Sequence, residues 1–266
     1  MRFALIFSFL ALISCVDMPV SEVDNRNVTL PYEKLDGVNF SKETIHFIVK
    51  SYSMEINERY SSQLENFYSS IMQDTGLYSF IPQKPYEIIV YKDKNEYMLK
   101  TKSPDFSSAL TYGNAIATYE QENYTATLAH ELTHVIFNEF MENYNMDSFL
   151  FINEGLAVYE ERKFSSSSDF YYSDIIRSYV KSNPIPFIEL INYKPRDNNN
   201  TEYVKKWYAQ CSNIVEYMIK NYGSLKFSIF LKDIKKGYDL NSALRDAYSG
   251  IFNDYKDLEN RWLGSL

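Results

Sequence analysis

The sequence predicts an α+β protein: a small mixed sheet with accompanying helices in the first half of the chain, and a mostly helical second half. Three observations carry this. Runs of strand composition at Thr44–Tyr52, Tyr86–Tyr91 and Ala115–Tyr119 all lie in the first half. Between them, Ile56, Tyr60, Leu64, Phe67 and Ile71 recur at spacings of three and four, which predicts a helix over 54–74 ended by Gly76. From Ser148 onward the apolar period is helical almost throughout.

The N-terminus reads as a processing signal. Arg2 supplies a positive start, Phe3 to Ile13 an apolar run, and Leu12-Ile13-Ser14-Cys15 resembles a bacterial lipobox, in which cleavage precedes an acylated cysteine. Residues 1–14 are then a lipoprotein signal peptide, Cys15 the lipidation site, and 15–37 a lipidated tether that is polar, aperiodic and interrupted by Pro19 and Pro31. The expected setting is the cell envelope, lipid-anchored to a membrane and facing the periplasm or exterior. Cys211 is left without a disulfide partner and is expected to be a small buried residue.

Composition bounds the rest. A chain of 266 residues can bury one large core or two lobes sharing a cleft. Its net charge of -8 gives no electrostatic support for a nucleic-acid partner. No stretch after residue 15 is long and apolar enough for a spanning helix. The 24 Tyr and 18 Phe fit a tyrosine-rich core and surface without identifying a ligand.

Residues 38–266 read as one domain, with a sheet lobe over 38–145 and a helical lobe over 146–266. In the first lobe a short helix is expected over 93–100, then a loop around Pro104. In the second, helices are expected over 148–164 and 170–181, the latter stopped by Asn183-Pro184, with Ser165 to Ser168 as a loop between them. A connector over 185–193 and a polar loop over 194–200 follow. Helices over 202–221, 225–236, 240–248 and 255–263 complete the chain, the first two closed by Gly223 and Gly237.

The stretch that organises the chemistry is Thr127 to Phe137, which contains His130-Glu131-Leu132-Thr133-His134 within an apolar segment free of Pro and Gly. Positions i and i+4 share a helix face, so His130 and His134 can offer two imidazole nitrogens to one tetrahedral zinc. Glu131 is turned by about 100° around the axis and reaches the water beside the metal as general base. Of the 3 His in the chain, two sit in this motif; the third, His46, belongs to the first strand run. Twenty residues after His134 comes Glu154, within Phe151-Ile-Asn-Glu-Gly-Leu-Ala-Val-Tyr-Glu160. That distance leaves room for a second helix to return to the metal with a third ligand. Three protein ligands and an open fourth position mark a catalytic rather than a structural zinc site, with one Zn²⁺ per chain.

The pairing of H-E-L-T-H with N-E-G-L-A-x-Y resembles the gluzincin zinc metallopeptidases, and more narrowly the peptidase MA-like family, over about residues 38–266. The tail resembles that family too, through Tyr208-Ala-Gln-Cys211-Ser, Tyr222-Gly223 and Leu258-Glu-x-x-Trp262. The resemblance implies a zincin-like fold acting on a peptide or protein substrate. It also implies that Tyr208 is a donor to the oxyanion, since the family has a tyrosine at the matching place. In zincins the strand before the active-site helix is the exposed sheet edge that pairs with substrate, which here implies Ala115–Tyr119, while the residues by themselves fit an ordinary core strand equally well. Glu160 and Glu161 read as a solvated helix face, with an outer role behind the histidines as the alternative. The G-x-M-E-N stretch of the aminopeptidase branch is absent, the region reading Ala117-Thr-Tyr-Glu-Gln-Glu122, which favours an endopeptidase. The competing expectation is an envelope lipoprotein that binds a partner through the same fold without turnover.

Overall fold

The computed structural model describes residues 30–142, 146–195 and 200–266. The segments expected as signal peptide and lipidation site, and most of the stretch expected as tether, lie outside the described residues. Among the described residues no helix is long and apolar enough to cross a membrane.

Among the described residues five strands form one mixed sheet: β1 (Phe40–Glu43), β2 (Phe47–Ser51), β3 (Tyr86–Tyr91), β4 (Ala109–Tyr112) and β5 (Ala115–Tyr119), in the order β1-β2-β3-β5-β4. The pairs β2–β3 and β3–β5 are parallel, while both outer pairs, β1–β2 and β4–β5, are antiparallel. Here one expectation is corrected. Ala115–Tyr119 is an inner strand, and the sheet edge before the active-site helix is β4. Gly113 and Asn114 turn the chain back after Tyr112, so β4 folds onto the outside of β5. Four residues following a loop are too few to display a strand period.

Alternation along the strands divides the sheet's two faces. Phe47, Val49, Ile88, Val90, Ala109 and Ile116 enter the main core with α1 (Met54–Thr75) and α3 (Tyr124–Met141). Ile89, Tyr91, Leu110, Ala115 and Ala117 point the other way, into a smaller core with Tyr97 of α2 (Lys94–Thr101). Tyr32, within the stretch read as tether, is buried in that smaller core, and Glu33 N–H donates to the Lys100 carbonyl at 3.0 Å. Tyr32 and Glu33 therefore pack against the sheet and α2 instead of standing apart from them.

The helical half is built around α4 (Leu150–Phe164), entered through a 3-10 turn at Met146–Phe149. Every residue from Phe151 to Glu161 is buried, because α1, α3, α5 (Ser166–Ile175) and α7 (Thr201–Tyr222) all pack around this helix. Gly155 permits the tightest of these contacts: a Cβ there would lie 2.6 Å from the Cys211 carbonyl oxygen of α7. The serines expected as a loop instead start α5. Ser165 caps it by accepting from the Ser168 N–H at 3.2 Å, which is what serine does best at a helix N-terminus. The helix expected over 170–181 is α5 continued by a π-turn at Ile176–Val180. A short α6 (Phe187–Leu190), then α8 (Ser224–Lys235), α9 (Leu240–Ala247) and α10 (Tyr255–Leu263), close the C-terminal side. Cys211 is buried, as expected.

Candidate metal centre

Two helices build the site. On α3, the i, i+4 spacing brings the Nε2 atoms of His130 and His134 to 3.1 Å from one another. From α4, Glu154 extends its carboxylate to the same point, with Oε2 3.4 Å from His134 Nε2 and 3.8 Å from His130 Nε2. The three donor atoms all lie within 4.8 Å of one another. His134 and Glu154 are buried and His130 half-buried, which leaves an approach on one side. Two imidazoles and a carboxylate at this separation fit a tetrahedral divalent cation such as zinc.

The other ring nitrogens are engaged. Glu161 Oε2 lies 3.0 Å from His130 Nδ1, and Asn153 Oδ1 lies 2.9 Å from His134 Nδ1. Asn153 in turn donates to Asn138 Oδ1 of α3 at 3.4 Å. An acceptor at each Nδ1 places the proton there and turns each Nε2 lone pair inward, the tautomer a metal requires. So Glu161 is no part of a solvated face; it is 3% exposed. Asn153 precedes Glu154 in the N-E-G run, and that adjacency is the one sequence signal for its role.

Glu160 is also buried, but it faces away from the site. Its Oε2 accepts from Ser70 of α1 at 3.0 Å and lies 3.5 Å from Lys163 Nζ, which also pairs with Asp74 of α1. The solvated reading fails for both glutamates for one reason: four helices surround α4.

Glu131 lies beside the two histidines on α3, 2% exposed. Thr111 of β4 donates from Oγ1 to Glu131 Oε2 at 2.5 Å. Nothing in the sequence signalled this pairing across β4 and α3.

Tyr208 is half-buried on α7, with its ring edge-on to Trp207 at 5.1 Å. Tyr172 of α5, which sequence reasoning missed, is buried and interacts electrostatically with Glu161, Tyr208 and Glu154. Burial pushes the Tyr172 hydroxyl far above the ordinary tyrosine range, and the charges of Glu161, Tyr208, Tyr171 and Glu154 act in the same direction. Tyr172 therefore remains a neutral donor at any physiological pH. Burial, with Glu154 next, likewise keeps the Cys211 thiol protonated. His46 lies elsewhere: its Nδ1 is 2.7 Å from Glu65 and its ring stacks on Tyr68.

Comparison with known proteins gives one positive result. A family model described as the peptidase MA superfamily matches residues 64–266, which includes both helices of the site. Neither the curated proteins nor the solved structures contain a significant match. On the extent of the family match, this chain belongs to the peptidase MA superfamily.

Proposed function

We propose that this chain is a zinc-dependent peptidase of the gluzincin type, an endopeptidase, held to a bacterial membrane through a lipid on Cys15. The observation that carries the reading is the convergence of His130 Nε2, His134 Nε2 and Glu154 Oε2 on one point, with an acceptor behind each histidine. Superfamily membership points to the same chemistry.

His130, His134 and Glu154 would hold the zinc, which would supply Lewis-acid polarisation of water and of the scissile carbonyl. The chain's own groups do the rest. Glu131 takes a proton from the attacking water and delivers it to the leaving amine. Glu161 and Asn153 keep the two imidazoles in the liganding tautomer and orientation. Tyr208 donates to the oxyanion as charge develops there. Peptide substrate lies along β4, the sheet edge next to Glu131, and pairs with it as an added strand.

The test is cleavage of an unbiased peptide library by the soluble fragment lacking residues 1–20, alongside metal analysis. Internal cleavage that a chelator abolishes and zinc restores supports the proposal. One bound zinc per chain without hydrolysis of any peptide would favour a binding protein. The anchor is tested separately: Cys15→Ala should shift the full chain from the membrane to the soluble fraction, because stable anchoring requires more than one acyl chain. Partition that survives this change at high salt would place the anchor elsewhere.

A further inference from the structure

A general base is effective only when its carboxylate is held toward the water it deprotonates, and Glu131 is held from an unexpected quarter. Its partner Thr111 is 20 residues earlier, on an edge strand rather than on a helix of the site. Both side chains are buried, at 7% and 2% exposure, so the hydrogen bond is shielded from competing water. Period-two alternation explains the direction. Ala109 and Thr111 face α3, whereas Leu110 enters the smaller core on the opposite face.

The backbone of the same residue has a different outlook. Gly113, at φ +57°, and Asn114 form a two-residue turn between the partners Tyr112 and Ala115. The pair flanking such a turn is hydrogen-bonded, and bonded and non-bonded pairs then alternate along the ladder. Thr111 and Ile116 are therefore a non-hydrogen-bonded pair. The N–H and C=O of Thr111 point away from β5, off the outer edge of the sheet, where no other strand of the sheet pairs among the described residues. Thr111 thus stands where an added strand would bond, while its hydroxyl holds the base.

We propose that Thr111 is a positioning residue that couples the seating of a peptide strand on β4 to the orientation of the Glu131 carboxylate. The inference rests on the peptidase reading above. Threonine suits the task because branching at Cβ restricts χ1, so the hydroxyl moves with the strand backbone. A strand added at Thr111 steadies that backbone, and through it the base. Binding energy from parts of the peptide remote from the scissile bond then appears in turnover.

The experiment compares zinc-loaded wild type, Thr111→Val and Thr111→Ser on two substrates sharing one scissile pair. One is a blocked dipeptide and the other a longer peptide able to pair along β4. Wild type should show a higher kcat on the longer peptide. Thr111→Val, which keeps the branched shape and loses the hydroxyl, should lose on the order of 10–100-fold in kcat on it, the range seen when an outer partner of an active-site group is removed. Its KM should change little, and the length advantage in kcat should collapse. Thr111→Ser should recover most of the turnover, and zinc stoichiometry should be the same in all three. Unaltered kcat and length advantage in Thr111→Val would overturn the inference, as would equal losses in Val and Ser variants or loss of zinc. Wild type that binds zinc and cleaves nothing would instead overturn the peptidase reading, and the coupling with it.

Discussion

Glu160 and Glu161 are neighbours on α4, both buried, yet they serve opposite sides of the molecule. Glu161 faces the candidate metal centre and meets His130 Nδ1 at 3.0 Å. Glu160 faces α1, where it shares Lys163 with Asp74 and takes a hydrogen bond from Ser70. A buried carboxylate is tolerable when a donor meets it. On the metal side an N–H does so. On the α1 side two carboxylates share one ammonium, and burial pushes Glu160 up to about 8, with Asp74 adding to the shift and Lys163 opposing it. One face of the helix turns its carboxylate to a histidine of the candidate site; the other packs its carboxylate against α1, where burial favours the protonated form.

The comparison can be broken hardest on the metal side. Glu131→Gln should keep zinc and lose on the order of 10²–10⁴ in kcat, the usual contribution of a general base. Peptide hydrolysis together with metal analysis checks both halves of that statement.

Next comes the tyrosine corner. Tyr208→Phe should fold, keep its zinc and lose on the order of 10²–10³ in kcat with KM nearly constant, as for removal of one oxyanion donor. Tyr217→Phe is the control on the same helix, because that hydroxyl meets Tyr222 at 2.9 Å. If Tyr208→Phe retains most of its turnover, Tyr172, the neutral hydroxyl nearby, becomes the next substitution to make.

Glu161→Ala should weaken zinc binding by about 10–100-fold in a chelator competition. Glu161→Gln should recover part of this, since an amide oxygen still accepts from Nδ1. Unchanged affinity in the Ala variant would mean that the carboxylate does not orient His130.

The smallest effect belongs to Glu160. Its folded pKa lies above the value for an unfolded glutamate, so the native state binds the extra proton. Stability from this group is therefore complete below the unfolded value and is lost as pH rises toward about 8. Glu160→Gln should flatten the fall in Tm between pH 5 and 8 while leaving zinc affinity alone. An unchanged slope would show that Glu160 is ionised in the folded protein and fully matched by Lys163.

The chain's local geometry decided a good deal before any folding. The i, i+4 spacing of His130 and His134 confines both imidazoles to one face of whatever helix they occupy, because the α-helix has a single period. The run from Ile56 to Ile71 with Gly76 after it required α1 for the same reason, and the helical periods after Ser148 required a helical second half. Glu154 was legible through a motif, since only the joint pattern with the histidines distinguishes it from the other acidic residues of α4.

What the tertiary structure alone decided are matters of which element lies beside which. The burial of Glu160 and Glu161 depends on four helices surrounding α4, and charge on a helix gives no notice of its neighbours. The edge position of β4 depends on sheet order, which a four-residue strand cannot announce. The hydrogen bond from Thr111 to Glu131 needs a hairpin to deliver a hydroxyl onto α3. Hydrogen bonds between elements are set by packing, and packing is a property of the whole chain rather than of any stretch within it.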